Sequence, residues 1–128
     1  MNRQETGKHG EKLALEFLKR KGYHIHETNF RCREGEIDIV ARQKDFLVFV
    51  EVRTKSNLAF GTPEESITQH KKMKLVTTAL SYIDSHQCLP PLWRIDIVAI
   101  EIDPSGKSKR IELIENAVSG DDFHKAGF

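Results

Sequence analysis

Asp38 and Glu51 stand in two apolar runs, Gly35-Glu36-Ile37-Asp38-Ile39-Val40-Ala41 and Phe46-Leu47-Val48-Phe49-Val50-Glu51-Val52-Arg53, joined by a short polar turn. An apolar strand has little structural use for a carboxylate, and two converging carboxylates are how proteins hold a hard divalent cation. With a two-residue turn at Lys44-Asp45, Ala41 faces Val48, Ile39 faces Val50 and Ile37 faces Val52 on one apolar side. On the other side Val40 meets Phe49, Asp38 meets Glu51 and Glu36 meets Arg53. A slip of one residue scatters the apolar set, so the pattern selects this register. Directly opposed residues have Cβ atoms about 4.5–5.5 Å apart, and like charges so placed destabilise a sheet. A metal ion would neutralise them, and so would Arg53 or Lys55.

The chemistry such a pair supports is metal-dependent phosphate chemistry. Asp38 and Glu51, with the carbonyl of Val52, suit Mg²⁺ or Mn²⁺, water and phosphate oxygens completing the shell. The ion would polarise a phosphodiester and acidify a bound water for in-line attack. Arg53 and Lys55 follow Glu51 at i+2 and i+4, on the same strand face, where either stabilises charge developing on phosphate. Alone, an Asp…Glu-x-Arg spacing is a weak signal, because a surface salt-bridge cluster has the same composition.

The elements that must position these groups are legible on both sides. A helix is predicted over residues 5–21, with Leu13, Ala14, Phe17 and Leu18 as its apolar stripe and Leu15 widening the face. Lys19, Arg20 and Lys21 suit the negative end of its dipole, and Gly22 its stop. Tyr23 to Cys32 reads as extended, with a turn at Arg33-Glu34-Gly35, and Thr54 to Gly61 as a polar loop. Thr62-Pro63-Glu64-Glu65 has the form of a helix start, and Thr68 is an alternative cap. Leu75, Val76, Ala79, Leu80, Tyr82 and Ile83 make a second helical stripe, broken at Cys88-Leu89-Pro90-Pro91. Trp93–Ile102 and Arg110–Glu115 read as strands around the turn Asp103-Pro104-Ser105-Gly106. Strands, helix and strands without strict alternation predict an α/β fold, a mixed central sheet flanked by helices.

Bulk properties narrow the class. The 128 residues suffice for one core, read as a single domain over residues 1–118 with a tail at 119–128. The longest apolar run, Phe46 to Val50, is far short of a membrane span, and the polar Met1-Asn2-Arg3-Gln4-Glu5 does not open a secretion signal. A cytoplasmic protein without a membrane partner is expected, with Cys32 and Cys88 as reduced thiols. Twenty Lys and Arg against nineteen Asp and Glu give a net charge of +1, which does not announce a nucleic-acid binder. Three basic clusters say more: Lys19-Arg20-Lys21, Arg31-x-Arg33 and His70-Lys71-Lys72-x-Lys74. Singly they read as solvated helix ends and turns. On a nucleic acid, Arg31, Arg33, Lys71, Lys72 and Lys74 are the candidate phosphate contacts.

Other groups carry less. His24-x-His26 has no third ligand in sequence and reads as solvent-facing strand. Glu64 and Glu65 suit a helix start electrostatically, and Asp96, in an apolar strand, calls for a buried arginine partner. Trp93 and Phe60 have the chemistry to stack on a base, though core or loop packing is the simpler reading of each.

The hairpin residues resemble the YraN-like family, which is related to archaeal Holliday-junction resolvases within the PD-(D/E)xK nuclease superfamily. Gly10-Glu11-x-x-Ala14 with Phe17-Leu18, Gly22-Tyr23 with Asn29-Phe30-Arg31, and Phe60-Gly61-Thr62-Pro63-Glu64-Glu65 continue the resemblance. So do the helix bearing Lys71, Arg94-x-Asp96-Ile97-Val98-Ala99 and Ile114-Glu115-Asn116-Ala117, so that it covers residues 7–118. It implies a restriction-endonuclease-like fold, Asp38 and Glu51 as metal-binding acids, Glu11 as a further acid at the metal, and Lys71 or Lys72 as another polar site residue. It also implies a homodimer, since related resolvases work as dimers. Arg53 departs from the superfamily pattern, which has lysine there. Arginine keeps the charge but is effectively never deprotonated, and Lys55 lies roughly 6.5 Å further along an extended strand.

Three readings follow: a Mg²⁺- or Mn²⁺-dependent endonuclease acting on branched or single-stranded DNA, a nucleic-acid-binding module with a weak or inactive site, and a protein-interaction scaffold.

Overall fold

The computed structural model describes residues 1–118, and the expected tail at 119–128 lies outside the described residues. Asn2 opens helix α1 (Arg3–Arg20) with a capping box, its side chain accepting from the Glu5 N–H while the Glu5 carboxylate accepts from the Asn2 N–H. Gly22, at φ 90°, turns the chain out of the helix. Three antiparallel strands follow: β1 (His24–Cys32), β2 (Gly35–Gln43) and β3 (Phe46–Lys55). A 3₁₀ turn at Glu64–Ser66 and helix α2 (Gln69–Ser85) carry the chain over to β4 (Leu92–Ile102), which runs parallel to β3. Strand β5 (Ser108–Ile114) adds antiparallel to β4, giving a five-stranded mixed sheet in the order β1-β2-β3-β4-β5.

A core lies on each face. Ala14 and Leu18 of α1 pack with Ile39, Ala41, Val48, Val50, Val98 and Ile100. Leu75, Val76, Ala79 and Tyr82 of α2 pack with Val40, Leu47, Phe49 and Ile95. Opposite residues of β3 therefore serve opposite helices, and Glu51, Arg53 and Lys55 continue the face of Leu47 and Phe49, on the α2 side. This is the restriction-endonuclease-like arrangement expected. No helix among the described residues is long and apolar enough to cross a membrane.

The hairpin register is as predicted from Gln43↔Phe46 to Ile39↔Val50, and there the ladder ends. Beyond it β2 and β3 separate, so three expected pairs are not made. Ile37 joins the α2-side core instead of facing Val52. Glu36 pairs with Arg31 at 3.2 Å, not with Arg53. Asp38 is not laddered opposite Glu51; its Oδ2 accepts the Val52 N–H at 2.8 Å. A carboxylate bonded to a backbone amide satisfies both groups where two facing acids would repel.

The second helix starts at Thr68, whose side chain accepts from the Lys71 N–H. Thr62 and Glu65 bond each other reciprocally around the 3₁₀ turn, so both candidate caps are used, only one of them for an α-helix.

Candidate metal and phosphate site

The gap between β2 and β3 is where the candidate groups gather. Gly10 lets α1 lie directly on β3: a Cβ there would come within 2.8 Å of the Thr54 Cβ. That close approach sets Glu11, the next residue, within electrostatic reach of Asp38. Gly35, at φ 154°, leaves room for the Thr78 hydroxyl of α2, and so seats the β1–β2 turn against that helix.

Glu51 is buried, at 4% exposure, and its Oε2 meets two cations. Arg53 reaches it through Nη2 at 2.9 Å and Nε at 3.1 Å, and Lys71 through Nζ at 3.7 Å. Burial pushes the Glu51 carboxyl up to about 8; the Asp38 charge and a hydrogen bond with Asp38 add to the rise, against Lys71 and Arg53. Glu11 is raised too, first by burial and then by Asp38 and Glu36, while Arg31 opposes. Two buried or half-buried acids are thus held against their preferred charge state beside a third carboxylate, the electrostatic condition a divalent cation relieves.

The donor set fits Mg²⁺ or Mn²⁺ in chemistry. Asp38 and Glu51 supply hard oxygens, Oδ2 of the first accepting the Val52 N–H and Oε2 of the second meeting Arg53 and Lys71. In an extended strand a residue's N–H and C=O point to the same side. Since the Val52 N–H points to Asp38, its carbonyl also opens toward the β2–β3 gap. Among the described residues no three His, Cys, Asp or Glu side chains cluster tightly enough to form a metal shell alone. Water and substrate oxygens would complete the coordination, as Mg²⁺ prefers.

The remaining candidates divide. Lys71, read from sequence as a phosphate contact, comes to Glu51 itself, whereas Lys72 is half-buried and Lys74 exposed on the same helix. Arg31 stays largely exposed on Glu36 yet bears on Glu11, and Arg33 is exposed at the β1–β2 turn. Lys55 lies beyond Arg53 at the mouth of a groove and bears electrostatically on Glu65. The His24 and His26 rings meet edge to face at 5.4 Å. Asp96 is fully buried and receives both Arg94 Nε contacts, at 3.0 and 3.1 Å, with the Asn116 N–H at 2.9 Å, so its expected arginine partner is Arg94. Trp93 packs in the α2-side core, 5.9 Å from Phe49. Phe60 departs from its packing expectation: it is 93% exposed. Glu64 stands in the first turn of the 3₁₀ helix and binds Arg110 at 2.6 Å, and Arg110 also holds Glu101 and Glu112, tying the 3₁₀ turn to β4 and β5.

Sequence reasoning missed Arg3 and Thr6, which line the groove beside Arg53. Their spacing to Gly10 was the available signal, because residues 3, 6, 7 and 10 fall on one helical face.

The fold is that of a small α/β protein of the restriction-endonuclease-like class. The profile of Uncharacterised protein family UPF0102 matches residues 10–100, and the chain belongs to that family, the YraN family its motifs resemble. It is 50% identical to a UPF0102 protein of Dehalococcoides mccartyi over 117 residues, 91% of this chain and 95% of the relative. Identity is 43% over 118 residues with one from Caldicellulosiruptor bescii, covering 91% and 99%, and 41% over 117 residues with one from Moorella thermoacetica, covering 91% and 98%.

Proposed function

We propose that this protein is a Mg²⁺- or Mn²⁺-dependent endonuclease that hydrolyses phosphodiester bonds in DNA, with branched or otherwise structured DNA as its preferred substrate. The observation that carries the reading is the buried Glu51, held beside Asp38 at the β2–β3 gap with Arg53 and Lys71 on its Oε2. Asp38, Glu51 and the Val52 carbonyl would hold the ion, which when bound supplies Lewis-acid activation of phosphate and water. Asp38 keeps its carboxylate oriented through the Val52 N–H. Arg53 and Lys71, which meet Glu51 Oε2 in this structure, are the cations that would face phosphate oxygens at the site. Glu11 lies near enough to Asp38 to add negative charge on the α1 side.

The test is incubation of the full chain with junction, flap, single-stranded and duplex DNA, with Mn²⁺, Mg²⁺ or EDTA. Metal-dependent cleavage lost in both Asp38→Ala and Glu51→Ala is expected. Absence of cleavage, or cleavage equally strong in Glu51→Ala, refutes it.

The Arg53 guanidinium on Glu51 favours a second reading, a nucleic-acid-binding module with little catalysis. Binding that weakens steeply with salt, without cleavage of any substrate, selects it, because phosphate contacts release counterions.

A further inference from the structure

A groove of about 730 Å³ runs from the candidate site between the first turns of α1 and the end of β3. Arg3, Arg53 and Lys55 line it with the polar Thr6, Ser56 and Asn57, and among the described residues no acid lines it. Among the described residues neither Arg3 nor Lys55 has an ion-pair partner. Arg3 and Lys55, with Arg53 bound to Glu51 at the inner end, give a cleft of the size that takes ligands a positive lining that complements a run of phosphates.

Next to this groove the chain builds a platform for one aromatic ring. The Gly61 N–H donates to the Leu58 carbonyl at 3.1 Å, closing a turn with Phe60 at its third position. The Ala59 N–H donates to Asn57 Oδ1 at 2.8 Å, tying the turn to a groove-lining residue. Gly61 at φ 104° suits the turn's exit. Below it Thr62 and Glu65 bond each other, Pro63 is buried, and Arg110 grips Glu64. The turn is therefore anchored on both sides, and it holds the Phe60 ring 93% exposed. No other ring among the described residues stacks on it. Leu58, 47% exposed, stands beside it in the same turn.

We infer that the groove takes a single-stranded nucleic-acid segment adjoining the scissile phosphate, its phosphates on Arg3, Arg53 and Lys55, and that Phe60 stacks on an unpaired base of that segment. In a duplex the base faces are covered by their neighbours; only an unpaired or splayed nucleotide offers one to an aromatic ring. The inference rests on the nucleic-acid reading above and deepens it: the site prefers substrates with unpaired nucleotides, such as flaps and junction branch points, over continuous duplex.

The experiment uses the full chain in EDTA, with fluorescence anisotropy on a twelve-nucleotide oligothymidine and on a blunt twelve-base-pair duplex. Phe60→Ala is expected to weaken oligothymidine binding about tenfold, the scale of one lost stack, and duplex binding less than twofold. Phe60→Trp is expected to restore binding, with its indole fluorescence quenched by the oligonucleotide. Arg3→Ala with Lys55→Ala is expected to lower the salt slope for oligothymidine by about 1.4, from two phosphates at about 0.7 each. Unchanged oligothymidine binding in Phe60→Ala, or equal loss on both probes, overturns the inference while leaving the nuclease reading intact. A wild-type chain that binds neither probe overturns the inference, and metal-dependent junction cleavage then judges the nuclease reading separately. A concentration-dependent dimer lost in Phe60→Ala, with binding unchanged, assigns the ring to a protein contact and overturns it too.

Discussion

Replacing Glu51 by Gln should stabilise the metal-free protein at alkaline pH and abolish its stabilisation by metal. Glu51 ionises near 4.5 when unfolded, whereas burial, the Asp38 charge and their shared hydrogen bond push it up to about 8 in the fold. A raised acid contributes stability that is complete below pH 4.5 and lost as pH rises toward 8. At about 1.36 kcal/mol per pH unit the full displacement approaches 5 kcal/mol. Relaxation and water entry at the open β2–β3 gap reduce that to roughly 2–4 kcal/mol. Glutamine has the shape of the protonated acid and never ionises, so the variant keeps this contribution. For a domain of this length the difference amounts to roughly 6–15 °C in Tm at pH 9. Thermal melts of both proteins at pH 5 and pH 9 in EDTA check it. The wild type should lose far more stability between the two pH values than Glu51→Gln. Saturating Mg²⁺ or Mn²⁺ at pH 8 should raise the wild-type Tm and leave the variant unmoved, because a ligand stabilises only the state it binds. Parallel pH profiles, or a variant less stable than wild type at pH 9, would refute the electrostatic account.

The other expectations test the supports of the site. Gly10→Ala should lower stability by about 1–3 kcal/mol, because the new Cβ crowds Thr54; Thr54→Ala should recover part of it, since its own Cβ still crowds the added methyl, and denaturant melts of the single and double variants read this. Arg110→Ala releases three carboxylates and loosens the segment between β3 and α2; a loss of about 1–2 kcal/mol and faster proteolytic nicking at residues 56–66 are expected. Asp96→Ala leaves the Arg94 Nε–H and the Asn116 N–H without their acceptor, at a loss of about 3–5 kcal/mol for a broken buried pair, measured by urea unfolding. Under the nuclease reading Lys71→Ala should cut the cleavage rate at least tenfold and Lys55→Ala less than fivefold, because only Lys71 reaches Glu51; single-turnover assays with saturating enzyme separate the two.

Legibility from sequence followed the range of the interactions. The hairpin register was readable because side-chain alternation is a period of two and one slip exposes the core. The capping box at Asn2 and the choice between Thr62 and Thr68 turned on local hydrogen bonds, and the two threonines have equal propensity for the role; only the β3-to-α2 path decides between them. What pairwise strand reasoning missed is the separation of β2 from β3 after Ile39 and Val50. An ideal ladder continues until a turn stops it. Here Asp38 takes the Val52 N–H into its own carboxylate, a competition between side chain and backbone that periodicity does not encode. The contribution of Lys71 was visible only as helix position, since its distance from Glu51 depends on how α2 crosses the sheet. Arg3 and Phe60 were obscured for opposite reasons, the first by lying near the chain start and the second by being an aromatic that ordinarily packs.

The arginine at position 53 takes on a definite meaning within this geometry. Its Nε and Nη2 both contact one oxygen of Glu51, so the guanidinium grips the acid from along its own strand. The compact ammonium arrives from a different element: Lys71 reaches the same oxygen from α2. A strand lysine would bring a compact ammonium to the acid from the same strand; here the compact charge comes from the helix and the strand supplies the planar fork. The position of α2 therefore governs the electrostatics of the site, and that position is set by residues with no chemistry of their own. Leu75, Val76 and Ala79 seat the helix on Phe49 and Val40, while the missing side chain of Gly35 admits Thr78. Substitutions in that apolar contact should consequently shift the Glu51 environment without touching a charged group.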